Sequence, residues 1–273
     1  MDLEPVRHAL RGTSFADVRG VAETGSTNAD VVALAAGGHG EGLVLVADHQ
    51  TAGRGRLDRR WAAPPASSLL LSVLFRPREH GLALDELHLV PTAMGVAMAE
   101  AARSVTGDGA AVQLKWPNDL VVAAADDGGH GPVRKVGGIL AEAAGDAALV
   151  VGVGLNVNWP AVLPADLEHT AIALNHLTGG PVDRSGLLVA ALRRLHEWYA
   201  GLATPAGRVA LLARYRELSA TIGQRVRVEL GGETVVGDAI DVNAEGHLLV
   251  VDECPDRPRE IVAGDVVQLR PVS

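Results

Sequence analysis

Past Ile222-Gly223 the patterning of the chain changes, and that change constrains its architecture more than any other feature. Residues 185–203 and 207–219 alternate apolar and polar side chains at helical spacing. After Gly223 the apolar residues fall into short runs at 225–230, 234–242, 247–251, 259–263 and 266–269. Gly231-Gly232, Asn243 to Gly246 and Pro255 to Pro258 separate these runs with turn-forming residues. Five short strands within about fifty residues predict a small β-barrel. The chain is therefore expected to divide into a large domain over 1–222 and a small one over 223–273. Its 273 residues and 48% hydrophobic content are enough for both cores.

Within the large domain, Leu43 to Ala47 and Leu69 to Phe75 read as buried strands. Residues 16–22 give a first strand, and Leu87 to Val105 a long helix with Pro91 in its first turn. Val112 to Lys115 and Leu120 to Ala123 form a predicted hairpin about Trp116-Pro117-Asn118-Asp119. Ala124 to Pro132 is a polar loop, and Val136 to Ala141 and Leu149 to Asn156 are two further strands.

Between the first two buried strands lies Thr51-Ala52-Gly53-Arg54-Gly55-Arg56-Leu57-Asp58-Arg59-Arg60-Trp61. Four guanidinium groups offer forks of donors suited to carboxylates and phosphates. Two glycines are free to adopt positive φ, and apolar contacts are few, so the loop is expected to be mobile when empty. A flap over a small anionic ligand and a solvated basic turn both fit these residues. A general nucleic-acid surface fits poorly, because 24 basic residues face 33 acidic ones, for a formal charge of −9.

Lysine usage is unusual. Of the 24 basic residues only Lys115 and Lys135 are lysines, and both sit in glycine- or tryptophan-marked motifs. A compact ammonium follows a moving phosphate in a way that a planar fork does not. The single cysteine, Cys254, excludes an internal disulfide framework and a cysteine zinc site, and fits a reducing compartment. Residues 1–14 lack the apolar segment of a signal peptide, and no uncharged apolar stretch is long enough to span a membrane. A cytoplasmic protein is the expectation. Ten histidines show no paired-ligand spacing, so no direct structural metal site is expected.

Five segments recur in a fixed order: Ser26-Thr27-Asn28; the Gly-Arg-Gly-Arg loop; Lys115-Trp116-Pro117-Asn118-Asp119; Lys135 through Glu142, with Gly137-Gly138-Ile139-Leu140; and Gly152-Val153-Gly154-Leu155-Asn156. This ordered set resembles biotin protein ligase, and the likeness covers almost the whole chain. The resemblance implies an α+β fold: a mixed-sheet catalytic domain of the class II synthetase type, followed by a small SH3-like barrel. It implies biotin and ATP with Mg²⁺ as substrates. Biotinyl-5′-AMP forms first, and biotin then passes to a lysine of a biotin carboxyl carrier domain.

By the same resemblance, Lys135, Arg54 and Arg56 carry the catalytic charge. Ser26, Thr27, Asn28, Gln50, Gly53, Gly55, Gly138, Gly152 and Gly154 surround biotin together with them. Trp61, Lys115, Asn118 and Asn156 join Arg54, Arg56 and Lys135 at the nucleotide. Other roles stay open for several of these. Ser26 to Asn28 also suit a helix cap, Trp61 suits core packing, Asp119 an Asx cap, and the glycines tight strand packing. The family usually has glycine where Asp58 stands. A lipoate or octanoate ligase of the same fold is the alternative. Repressor members of the family carry a helix-turn-helix module ahead of Ser-Thr-Asn, and 25 residues are too few for one, so no nucleic-acid partner is expected. A monomer or weak homodimer is expected.

Overall fold

The computed structural model describes residues 1–107, 112–123, 133–145, 148–230, 232–252, 257–262 and 264–268. The predicted loop 124–132, Cys254, and the ends of two short runs at 263 and 269 lie outside the described residues.

In chain order the large region contains α1 (Glu4–Ala9), β1 (Val18–Thr24), α2 (Thr27–Ala36), β2 (Val44–Gln50), β3 (Ser68–Phe75) and α3 (Leu89–Thr106). There follow β4 (Val112–Lys115), β5 (Asp119–Ala123), β6 (Val133–Ala144), β7 (Ala148–Asn156), α4 (Leu174–Thr178), α5 (Arg184–Gly201) and α6 (Pro205–Leu218). The small region contains β8 (Arg225–Leu230), β9 (Glu233–Val242), β10 (Leu248–Val251), β11 (Arg259–Ile261) and β12 (Asp265–Gln268). The sequence reading missed α1 and α4. Both are short, and neither repeats an apolar period long enough to declare itself.

Seven strands form one mixed sheet in the order β1-β2-β3-β7-β6-β5-β4, parallel at β1–β2 and antiparallel elsewhere. The other five form an antiparallel sheet in the order β11-β10-β9-β8-β12. The fold is thus α+β, with a large mixed sheet and a separate small antiparallel one, as expected.

Strand alternation sorts the large sheet into two faces. Leu69, Leu71, Val73 and Phe75 of β3, with Val151, Val153 and Leu155 of β7, join the main core beneath α3 and α5. Leu74, Leu45 and Val150 face the other way and pack on Val31 and Ala35 of α2. A continuous apolar strand such as β3 is the signature of burial on both faces.

β6 breaks this alternation once. Leu120 pairs with Gly137 and Val121 with Lys135, so Val136 is an extra residue in the ladder. The bulge lets Val136 and Ile139 both enter the main core. It also turns Lys135 and Gly138 to the same opposite face, where a Cβ on Gly138 would lie 3.1 Å from the Lys135 side chain. Bulges beside functional sites re-aim side chains in this way.

The two sheets are joined through the β4–β5 turn. Trp116 is buried, donates its backbone N–H to Thr221 Oγ1 at 3.0 Å, and donates Nε1–H to the Gly246 carbonyl at 3.0 Å. Arg216 Nη2 donates to the Val242 carbonyl at 2.6 Å. One apolar cluster runs without interruption from β3 and α3 into β8, β9 and β10.

At the far end of β3, Phe75 meets Tyr199 at 5.0 Å and Phe15 at 5.7 Å, edge to face in both cases. The Tyr199 hydroxyl donates to Glu41 at 2.5 Å. Burial and that carboxylate push the phenol well above its usual range. Deleting the Phe75 ring leaves a cavity between its two aromatic neighbours. Phe75→Ala should therefore destabilise the protein by about 3–5 kcal/mol, read as a lowered urea midpoint.

Candidate active site

The sheet face opposite the main core is bare where β6 and β7 run side by side. Gly152 and Gly154 of β7 project no side chain there, and Gly138 opposes Gly154 on β6. The room is used at once. A Cβ on Gly152 would overlap the Asn28 side-chain amide, and one on Gly154 would overlap the Trp61 ring. Close approach is the reason for glycine here, but the groups approaching are the protein's own Asn28 and Trp61.

Helix α2 begins at Thr27, so Thr27 and Asn28 lie in its first turn. Ser26 holds the N-cap position without a side-chain capping bond. Gln50 does that work from β2: its Oε1 accepts from the Thr27 N–H at 2.7 Å and from Thr27 Oγ1 at 3.0 Å. Ser72, fully buried on β3, donates to Asn28 Oδ1 at 2.5 Å and lies 2.7 Å from Thr27 Oγ1. Asn28 Nδ2 donates to Glu142 at 2.7 Å and to the Leu140 carbonyl at 3.2 Å. The helix start is thereby wired to three strands.

The arginine loop is a β-hairpin. Arg54 and Arg60 form an antiparallel bridge, Gly55 N–H donates to the Arg59 carbonyl at 2.7 Å, and Trp61 N–H donates to the Gly53 carbonyl at 2.9 Å. Positive φ falls on Leu57 at 54° and Asp58 at 56°, not on the glycines as the sequence suggested. A two-residue turn between paired strands needs left-handed residues at its tip. Aspartate tolerates that conformation better than most residues, and glycine better still, which gives the family's usual glycine at position 58 a physical reason.

All five motif segments meet at a cavity of about 470 Å³. Ser26, Thr27, Asn28, Gln50, Arg54, Gly55, Arg56, Trp61, Asn118, Lys135, Gly138, Gly152, Gly154 and Asn156 all line it. Of the predicted site residues, Gly53 and Lys115 do not. Gly53 lies under the hairpin, where a Cβ would sit 2.6 Å from the Trp61 carbonyl. Lys115 opens into a second cavity of about 450 Å³ between α3, the β4–β5 turn and the small sheet; the two cavities share Arg56, Asn118 and Asp119 as a wall.

Four of the basic groups each have a partner of their own. Lys135 Nζ is 2.6 Å from Asp119 and 5.4 Å from the Trp61 ring centroid. Arg54 meets Glu142 at 3.0 Å, Arg56 donates to Asn118 Oδ1 at 3.1 Å, and Arg59 pairs with Asp265. Burial holds the Lys115 ammonium below the usual lysine range, with Lys135 adding to the effect, although Asp119 and Asp265 oppose it. Asn156 donates to the Ile172 carbonyl at 3.0 Å, while its buried Oδ1, like the Trp61 indole N–H, has no partner in the structure.

The Trp61 ring lies against the β6–β7 backbone at Gly138 and Gly154. Such a ring is a platform for a second planar group. The arrangement gathers cations, amide donors and an aromatic face around one volume, which suits an anion carrying a planar ring. Sequence reasoning missed Ser72, Glu142 and Asp265. Period two from Gly138 through Leu140 reaches Glu142, and a serine interrupting the apolar β3 was likewise visible. Nothing local marks Asp265. No group of three or more metal-ligating side chains occurs among the described residues.

Fold and site together define a protein ligase of the biotin/lipoate class: residues 27–158 match the Biotin/lipoate A/B protein ligase family, and residues 221–268 match the Biotin protein ligase C terminal domain. The biotin–[acetyl-CoA-carboxylase] ligase of Mycobacterium tuberculosis is 39% identical over 266 residues, which is 95% of this chain and 91% of that one. The bifunctional ligase/repressor BirA of Escherichia coli is 32% identical over 77% of this chain, and the match spans 61% of that protein. A solved biotin protein ligase from Aquifex aeolicus, in complex with biotin and ATP, superposes with a TM-score of 0.77 at 27% identity, covering 93% of this chain and 99% of that one. The chain belongs to the biotin protein ligase family. It is a ligase whose substrates are biotin and ATP, and the lipoate alternative is set aside.

The crowding over β7 gives a direct test of the site. A methyl group at position 152 must displace Asn28 and break its bonds to Ser72 and Glu142. Gly152→Ala should weaken biotin binding at least about tenfold, because the preorganised donors are lost, while leaving the thermal midpoint within a few degrees. Isothermal titration with biotin, beside a melting curve, measures both.

Proposed function

We propose that the 470 Å³ cavity is where biotin is activated and held, and that its residues divide the work as follows. The carboxylate oxygen of biotin attacks the α-phosphorus of MgATP, the bond to the β-phosphate oxygen breaks, and pyrophosphate leaves with that electron pair. A carrier lysine amine then attacks the carbonyl of the mixed anhydride, loses a proton, and expels AMP. A carboxylate is already a competent nucleophile, so the first step needs no general base. The protein must hold two anions together and offset the charge that develops on phosphorus.

Lys135 takes that charge, exchanging Asp119 for the biotin carboxylate and α-phosphate. Arg54 and Arg56 clamp the same anions from the hairpin. Ser26, Thr27 and Asn28, held by Ser72 and Gln50, address the ureido ring of biotin. Trp61 and the unpartnered Asn156 Oδ1 serve the nucleotide, and Lys115 and Asn118 its phosphate end. Residues 1–222 form the catalytic domain and 223–273 an SH3-like domain. The acceptor is a biotin carboxyl carrier domain of an acyl-CoA or pyruvate carboxylase. No helix among the described residues is long and apolar enough to cross a membrane.

The observation that carries this reading is the meeting of Lys135, Arg54 and Arg56 with the Ser26–Asn28 turn at one cavity, from segments distant in sequence. The test is biotin- and Mg²⁺-dependent exchange of labelled pyrophosphate into ATP; exchange with lipoate but not biotin would overturn it. Lys135→Ala should lower adenylate formation by roughly 10²–10³-fold, the range for removing one preorganised charge-stabilising group, while biotin binding stays measurable by calorimetry. Normal turnover of Lys135→Ala together with a dead Lys115→Ala would reverse the roles of the two lysines.

A further inference from the structure

The tip of the arginine hairpin touches the small domain at one charged group. Asp265, the first residue of β12, pairs with the Arg59 guanidinium, and its side chain also lines the main cavity. Arg59 lies beside the strained turn Leu57-Asp58, so this pair is the hairpin's anchor at the point where the backbone is least comfortable. The same carboxylate acts electrostatically on Lys115. Among the described residues, every other polar contact of the hairpin is to itself or to the large region: Arg54 to Glu142, Arg56 to Asn118, Arg60 to the Thr51 carbonyl.

We propose that Asp265 is a positioning residue for the reaction, a latch through which the small domain holds the arginine hairpin closed over the bound adenylate. The latch rests on the ligase reading above, and it assigns the small domain a specific task. Arg59 does not clamp the substrate. Its charge is used to hold the loop that carries Arg54 and Arg56. Because Arg59 is 69% and Asp265 31% exposed, the pair is a weak and salt-sensitive fastening, suited to a gate that must open for the carrier lysine.

The test uses full-length protein loaded with biotinyl-AMP and follows its release. Asp265→Asn keeps the shape and removes the charge. The adenylate off-rate should rise about two- to fivefold, the effect of an exposed ion pair on an opening equilibrium. Arg59→Ala should give the same rise, and the double variant should release no faster than either single one. Raising salt should speed release from the wild type while moving Asp265→Asn little. Both single variants should melt with the wild type, separating the latch from a general folding role.

An unchanged off-rate in Asp265→Asn would overturn the proposal. So would an effect of Asp265→Asn that persists in full in the Arg59→Ala background, since Asp265 would then act through Lys115. Failure of the wild type to form adenylate from biotin and ATP would instead remove the ligase reading itself, and pyrophosphate exchange tells the two failures apart.

Discussion

The pairing of β6 with β7 is the constraint on which the site depends. Two antiparallel strands place alternate residues on opposite faces, and here the faces have been given opposite tasks. Val151, Val153 and Leu155 seal the main core, while Gly152, Gly154 and Asn156 leave the other face low and partly polar. A one-residue slip would put the valines into the cavity and the glycines into the core, losing both. The bulge at Val136 is the one permitted exception, and it brings Lys135 onto the same face as Gly138. Core packing and site geometry are therefore fixed by the same register.

Onto that floor the protein brings more positive charge than a small cavity tolerates unaided. Arg54, Arg56, Arg59, Arg60 and Lys135 all line it. Unpaired cations packed together repel and lose hydration. The structure offsets this with Glu142, Asp119 and Asp265, one carboxylate each for Arg54, Lys135 and Arg59. An incoming carboxylate or phosphate thus competes with an internal anion, so part of its binding energy goes into exchange. The gain is preorganisation, because the cations are held near their working positions by groups of the same charge as the ligand.

Much of this was legible in the sequence, for identifiable reasons. The strands β3 and β7 announce themselves because a strand buried on both faces needs an apolar run, or valine alternating with glycine. The helices α5 and α6 and the switch to short strands after Gly223 show as a change of period. The cavity lining was largely anticipated, because most of its residues lie in dense local motifs. What the sequence did not disclose depends on contacts between distant segments. Ser72 meets Asn28 across 44 residues, and Arg59 meets Asp265 across 206. Composition alone points to Gly53 and Gly55 as the sites of the left-handed turn. The hairpin register instead puts the tip at Leu57-Asp58, and only the paired backbone reveals that.

The small sheet is bound into the catalytic half too closely to be an appendage. Trp116, inside the motif that also supplies Lys115, Asn118 and Asp119, has its indole N–H on the Gly246 carbonyl and its backbone N–H on Thr221. The same turn forms the wall between the two cavities. Any displacement of β9–β10 would move Trp116, and with it Asn118, whose Oδ1 accepts from Arg56 and whose Nδ2 donates to the Ile139 carbonyl at 2.8 Å. Asp265 adds a direct tie from β12 to the hairpin itself. The small domain thus reaches the arginine loop from two sides, through a packed tryptophan that does not yield and through an exposed ion pair that does. A rigid contact fixes where the loop must close; a soft one lets it open.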